Sequence, residues 1–278
     1  MKPRQLKPRF LEKVWGSEHL EPWFKSTGAK IGEVWFEGSD ELPLLVKFLF
    51  TSGKLSVQVH PDDAYAAKHE NSRGKTEMWH VLAADPGARI AAGFREPISA
   101  ERLRAAALSG EIEELLAWHE ARPGDTFFIP AGTVHAIGAG LTLCEIQQLS
   151  DVTYRLYDYG RPRELHIDQS LAVSRREAHS ARVAPRMQAN GEELVACKYF
   201  TVRRHEISGR IEFPNPPDLL VVIDGAGHIG SEPVQSGEVW YCAPGTNPFE
   251  VTGRLTLLGV STSGNPVRID RGVPPNIS

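Results

Sequence analysis

A chain of 278 residues, 41% hydrophobic and 24% charged, is long enough for one large domain or two ordinary ones with substantial cores. A net charge of −4 without a Lys/Arg stripe argues against nucleic acid as a partner, and no run approaches the roughly 18–20 apolar residues of a membrane span. Three scattered cysteines, Cys144, Cys197 and Cys242, and an N-terminus that is basic without an apolar core predict a cytoplasmic protein without a disulfide framework.

Glycine (25) and proline (20) recur between short β-branched and aromatic runs, which predicts a mainly antiparallel β structure. Strands are expected at 30–36, Leu44–Phe50, Lys54–His60, Met78–Leu82, Thr126–Ile129 and Leu141–Gln147. Between them, Ser99–His119 places Leu103, Ala106, Ala107, Ile112, Leu115 and Leu116 at helical spacing, with Ser99 as N-cap and Gly110 splitting the segment into two helices. A further helix is expected near Asp168–Arg176. Residues 180–193 are polar, carry Pro185 and Gly191, and read as a connector. Strands resume at Lys198–His205, Leu219–Ile223, Glu238–Cys242 and Arg254–Leu258, predicting a second, smaller β domain. The Gly225–Gly230 stretch matches G-x-G-x-x-G, but Ser231-Glu232-Pro233-Val234 breaks any following helix, so a hairpin is expected there. Gly74-Lys75-Thr76 ends like a phosphate-binding loop, yet His69 occupies the position where that loop requires its first glycine.

Chemistry concentrates in four residues. After the strand Thr126–Ile129, Pro130-Ala131-Gly132 forces a tight turn that delivers His135 onto the next strand. In Val57-Gln58-Val59-His60-Pro61, strand alternation puts Gln58 and His60 on one face. Glu77 opens another strand. One amide, two imidazoles and a carboxylate suit a borderline divalent ion such as Zn²⁺, with a position left for water or substrate. Singly, His60 or His135 reads as well as an ordinary hydrogen-bonded histidine; jointly they point to a metal. Gln58, a neutral amide, is the weakest donor of the four.

Five strings occur together in order: 8–16 (PRFLEKVWG), 57–63 (VQVHPDD), 74–79 (GKTEMW), 130–136 (PAGTVHA) and 145–158 (EIQQLSDVTYRLYD). Over about residues 6–170 the chain thereby resembles type I phosphomannose isomerases of the cupin superfamily, in their short bacterial form. The resemblance implies a mainly β fold of two cupin-type jelly-roll barrels with a small helical insertion. The catalytic cupin domain would span 1–180, including the helical segment at about 99–119, and a smaller cupin-like domain 190–278. It also implies one Zn²⁺ per chain on Gln58, His60, Glu77 and His135, with Arg155 as the catalytic arginine, Lys75 as an active-site lysine and Glu145 as an active-site carboxylate. The partner would be a small-molecule sugar phosphate: mannose 6-phosphate and fructose 6-phosphate, interconverted through a cis-enediol.

That chemistry needs a Lewis acid or donors for the developing oxyanion, a proton carrier between C1 and C2, and a cation for the phosphate. Arg155 and Lys75 both suit the last task, the arginine as a bidentate fork and the lysine as a point charge. The carrier stays open between Glu145, a metal-bound water and a histidine. Without the resemblance, Arg155 reads as an ion-pair partner of Asp151, Lys75 as a solvated loop lysine and Glu145 as an outward strand residue. Arg161 and Arg163 form a small basic patch, suited to phosphate or simply to a solvated turn. Two other functions compete: a metal-dependent cupin oxygenase, disfavoured by the Gln-x-His plus Glu donor set, and a non-catalytic phosphosugar-binding cupin, which would not need the full ligand set together with Arg155.

Overall fold

A computed structural model describes residues 1–37, 42–179, 181–188 and 191–262. In chain order its first elements are β1 (Arg4–Gln5), β2 (Arg9–Ser17), β3 (Ile31–Glu37), β4 (Leu44–Thr51), β5 (Val57–Val59), α1 (Asp63–His69), β6 (Glu77–Ala84) and β7 (Arg89–Phe94). Next come α2 (Ala100–Ser109), α3 (Ile112–Leu115), β8 (Leu116–Glu120), β9 (Thr126–Ile129), β10 (His135–Ile137), β11 (Leu141–Gln148), β12 (Tyr154–Tyr157) and α4 (Ile167–Val173). The remainder is all strand: β13 (Arg186–Gln188), β14 (Gly191–Ala196), β15 (Phe200–Phe213), β16 (Leu219–Ile229), β17 (Glu232–Gln235), β18 (Val239–Tyr241) and β19 (Phe249–Thr262). The fold is mainly β, as expected.

The strands form three antiparallel sheets stacked as layers. One has the order β12-β5-β10-β7-β8, and a second the order β2-β3-β4-β11-β6-β9. The third runs β1-β18-β16-β19-β15-β14-β13, with β17 paired to β16. Between the first two sheets lie Leu49, Trp79, Val81, Ile90, Ala92, Phe127 and Ile137. The outer face of the first sheet is covered by the helices, where Leu103, Ala106 and Ala107 of α2 meet Val57, Val59, Ala136 and Leu156. The outer face of the second sheet packs against the third, Phe36, Val46, Phe48 and Ile146 meeting Phe200, Val202, Leu219 and Leu258. Alternate residues of the third sheet, including Leu220, Val222, Leu255 and Leu257, form a further core with Ile229 and Trp240. Strand β4 is therefore buried on both faces, which accounts for its near-continuous apolar sequence; each such side chain contributes about 1.5–3 kcal/mol. β1 adds the N-terminal residues to the third sheet through Arg4–Tyr241 and Gln5–Trp240 pairing. Among the described residues no helix is long and apolar enough to cross a membrane.

Several local expectations hold in detail. Ser99 caps α2 by accepting from the Arg102 N–H, and Gly110 ends it in the left-handed conformation. The Gly-rich 225–230 stretch is the hairpin arm of β16, with Ile229 opposite Glu232. Others need correction. The helical reading to His119 overshoots, because residues 116–120 pair with β7 as β8; Leu115 and Leu116 continue the helical spacing, but the free edge of β7 offers a hydrogen-bonded ladder instead. The strand expected at Lys54–His60 shrinks to β5, since the Leu55 N–H turns aside to the Ile137 carbonyl. Within the expected connector 180–193, β13 and β14 pair as a hairpin; residues 180, 189 and 190 lie outside the described residues, as does 263–278 of the expected second domain.

Candidate active site

Register places the chemistry in two transverse rows, one on each facing sheet. On the first sheet His135 lies opposite Gln58, and Gln58 opposite Arg155. On the second, Trp35 lies opposite Lys47, Lys47 opposite Glu145, and Glu145 opposite Trp79. Glu77 shares the inward face of β6 with Trp79, two residues on, and its Cα partner on β11 is Gln147. The turn that presents His135 depends on Gly132, whose φ of +87° favours glycine and where a Cβ would lie 2.8 Å from the Val173 carbonyl.

At the centre His60, Glu77 and His135 are buried, with ligand atoms within 4.8 Å of one another. Each imidazole is oriented from behind: Nδ1 of His60 donates to the Val152 carbonyl at 2.9 Å and Nδ1 of His135 to the Thr133 carbonyl at 2.9 Å. Both Nε2 atoms therefore turn their lone pairs inward, the arrangement that metal-binding histidines adopt. Glu77 Oε1 lies 3.6 Å from Nε2 of His60 and 3.5 Å from Nε2 of His135 and has no hydrogen-bond partner. A buried carboxylate oxygen left without a donor between two imidazole lone pairs fits a shared cation.

Electrostatics point the same way. Burial, reinforced by the Lys75 charge, pushes His60 down to about 4, and burial also lowers His135, so both rings are neutral. Burial opposes the charge on Glu77, but the Lys75 ammonium outweighs it and holds the carboxyl well below its usual range. Burial likewise opposes the Lys75 charge, which Glu77 and Glu145 overcome, raising its pKa. Lys75 is a buried lysine, its Nζ 2.8 Å from Glu77 Oε2 and 3.1 Å from His60 Nε2.

Above this cluster opens a cavity of about 420 Å³, within the usual range for small-molecule sites. Gln58, Lys75, Glu145 and Arg155 all line it. Glu145 faces inward, its Oε1 paired with Lys47 Nζ at 3.2 Å and its Oε2 accepting from the Trp79 indole at 2.8 Å. Arg155 donates to the Glu164 carbonyl at 2.8 Å, its Nε is buried without a partner, and no ion pair to Asp151 forms among the described residues. Gln58 presents its amide nitrogen to His135 Nε2 at 3.3 Å, while Oε1 accepts from Ser56; metal ligation through the oxygen requires the amide to turn over. Arg161 and Arg163 both bind the buried Asp158, the latter by two bonds of 2.6 and 2.7 Å.

Sequence reasoning passed over the opposite wall. Lys47, buried in β4, holds Glu145 and lies over the Trp35 ring at 4.4 Å. Lys13, Trp15 and Glu33 line the same side. One signal was available: a single lysine inside Leu44-Leu45-Val46-Lys47-Phe48-Leu49-Phe50 is costly to bury unless it is paired.

Stacked sheets, a short Pro-x-Gly turn and a buried His–Glu–His cluster that could hold a metal, beneath a polar cavity, define a cupin-type enzyme. Residues 6–83 match the family model described as "Phosphomannose isomerase type I, catalytic domain", and 190–262 match "Mannose-6-phosphate isomerase, cupin domain". A mannose-6-phosphate isomerase of Streptococcus mutans is 43% identical over 202 residues, covering 69% of this chain and 64% of that protein. Mannose-6-phosphate isomerase ManA of Bacillus subtilis is 33% identical, covering 90% of this chain and 96% of the relative. The crystal structure of a mannose 6-phosphate isomerase from Bacillus subtilis superposes with a TM-score of 0.83 at 28% identity, over 94% of this chain and 99% of that one. The chain belongs to the type I mannose-6-phosphate isomerase family of aldose–ketose isomerases.

Proposed function

We propose that the chain interconverts mannose 6-phosphate and fructose 6-phosphate by proton transfer between C1 and C2 through a cis-enediol, with one Zn²⁺ per chain. The observation that carries this reading is the orphaned Glu77 oxygen facing two imidazole lone pairs directly beneath a cavity lined by Lys75, Glu145 and Arg155. His60, Glu77 and His135, with Gln58 once its amide turns, would hold the metal, which when bound supplies Lewis acidity toward the sugar oxygens. Lys75 donates toward the developing oxyanion from a fixed position beside His60 and Glu77. Arg155 offers its guanidinium to the substrate from the far end of the first-sheet row, where it lines the cavity. Glu145 carries the proton: each of its oxygens holds one donor, Lys47 or Trp79, which fixes its orientation and leaves lone pairs toward the cavity.

The described residues lining this cavity fall between Arg9 and Arg163, which supports catalysis within 1–180 and a supporting role for the cupin-like region 190–278. The three unpaired cysteines suit a cytoplasmic setting. Turnover of mannose 6-phosphate in D₂O tests the proton route. Deuterium at C1 of the fructose 6-phosphate formed is expected; product free of deuterium under all conditions would instead indicate direct hydride transfer.

A further inference from the structure

The loop that carries Lys75 toward Glu77 is held by hydrogen bonds at each of three consecutive amides. The Gly74 N–H donates to Asp63 Oδ1 at 3.0 Å, the Lys75 N–H to the Pro61 carbonyl at 3.0 Å, and the Thr76 N–H to Gln148 Oε1 at 2.9 Å. Gly74 is pressed so closely onto the start of α1 that a Cβ would lie 2.5 Å from the Asp62 carbonyl carbon and the Asp63 nitrogen. Asp63 is the hub. Its Oδ1 also accepts from Gln148 Nε2 at 2.9 Å, which fixes the same glutamine that holds Thr76. Its other oxygen, Oδ2, accepts from the hydroxyl of Tyr199 at 2.9 Å.

Tyr199 comes from the far side of the molecule. It sits in the tip joining β14 to β15, in the region that, among the described residues, supplies none to the active-site cavity. The tip is itself braced: the Cys197 N–H donates to the Phe200 carbonyl at 2.9 Å, and Phe200 and Val202 are locked into the core shared with the second sheet. A carboxylate aimed by three donors from three directions has one position, and the hydroxyl is the donor that ties it to the C-terminal sheet.

We infer that Tyr199 and Asp63 are positioning residues for the isomerisation, through which the C-terminal region fixes the Lys75 loop. The inference rests on the catalytic reading of Lys75. Asp63 sets the Gly74 and Thr76 amides, these set the path of Lys75 and Glu77, and Tyr199 restrains Asp63. A misplacement of a catalytic group by about 1 Å can cost up to a hundredfold in rate, so losing one restraint of several should cost less.

The test is Tyr199→Phe, which deletes the hydroxyl and keeps the ring, together with Asp63→Asn and the double variant in the full chain with its metal. For Tyr199→Phe, kcat should fall about three- to tenfold, with KM for mannose 6-phosphate within about twofold, a melting midpoint lowered by no more than about 4 °C and unchanged metal content. The double variant should be no slower than Asp63→Asn alone, because the hydroxyl acts only through that carboxylate. Hydrogen exchange gives a readout independent of turnover: a peptide spanning 72–78 should exchange about fivefold faster in Tyr199→Phe, as expected for one lost hydrogen bond. Unchanged kcat and exchange, losses that multiply in the double variant, or a loss that tracks a melting midpoint lowered by more than about 4 °C would each overturn the inference. The exchange difference between the two proteins, found where the wild type does not turn over mannose 6-phosphate, would fail the functional reading and not the coupling.

Discussion

The Lys47–Glu145 pair offers the sharpest test of how this cavity is built. Its partners are 3.2 Å apart and their side chains are only 6% and 5% exposed, so each charge has given up most of its water. At an effective dielectric constant of about 20, two charges at that separation attract by about 5 kcal/mol. Desolvation consumes most of this, so the pair as a whole adds little, whereas removing one partner strands the other and costs about 3–5 kcal/mol. For Lys47→Met, a melting midpoint lowered by about 6–20 °C is expected at the roughly 2–4 °C per kcal/mol of domains this size. Glu145→Gln should destabilise in the same direction, and Lys47→Met/Glu145→Gln should recover at least half of the summed loss, because no unpaired charge remains. Calorimetric midpoints of the four proteins measure the coupling. Additive losses, within about 0.5 kcal/mol, would refute the claim that the two charges depend on each other.

His80 lies on the opposite face of β6 from Glu77 and is buried, which, with Arg204 nearby, pushes its pKa down to about 4 from an ordinary 6.5. The unfolded chain therefore takes up this proton first as pH falls. Stability from His80 is fully present above about 6.5, declines toward 4, and is lower by about 2 kcal/mol at pH 5; the pH 7-to-5 drop in urea midpoint should shrink in His80→Gln. Gly132→Ala forces a side chain into a φ of +87° and against the Val173 carbonyl, so a stability loss of about 1–3 kcal/mol and weaker metal retention are expected, read by melting and by metal analysis. Arg155→Ala should lower kcat at least about a hundredfold while leaving metal content near one per chain, since Arg155 touches none of the His60–Glu77–His135 cluster; loss of metal instead would make Arg155 structural.

Much of this arrangement is legible in the sequence because local rules decide it. Thr126–Ile129 forms the strand expected of it, since an apolar run between Gly124 and Pro130 has little alternative. Ser99 and Gly110 bound α2 for the same reason. Gln58 and His60 both turn toward His135 because the strand alternation carries one residue past the end of β5. What the sequence hides is pairing at a distance. Residues 116–120 keep a helical spacing and become a strand only because the edge of β7 is free. Residues 180–193 read as polar connector, yet within them Arg186–Gln188 pairs with the start of β14, which pairs in turn with β15. Lys47 looks like a lone polar intrusion until β4 and β11 align it with Glu145. The contribution of Tyr199, 136 positions from its partner Asp63, has no local signature at all.

The central claim, that the His60–Glu77–His135 cluster is the metal centre of a sugar-phosphate isomerase, is tested most directly by one assay. Fructose 6-phosphate formation from mannose 6-phosphate is followed before chelation, after it, and after Zn²⁺ is restored, in wild type and in His135→Ala. Activity should vanish on chelation and return with Zn²⁺ in the wild type only. Turnover that persists without metal, or a His135→Ala protein that recovers fully with Zn²⁺, would contradict the account.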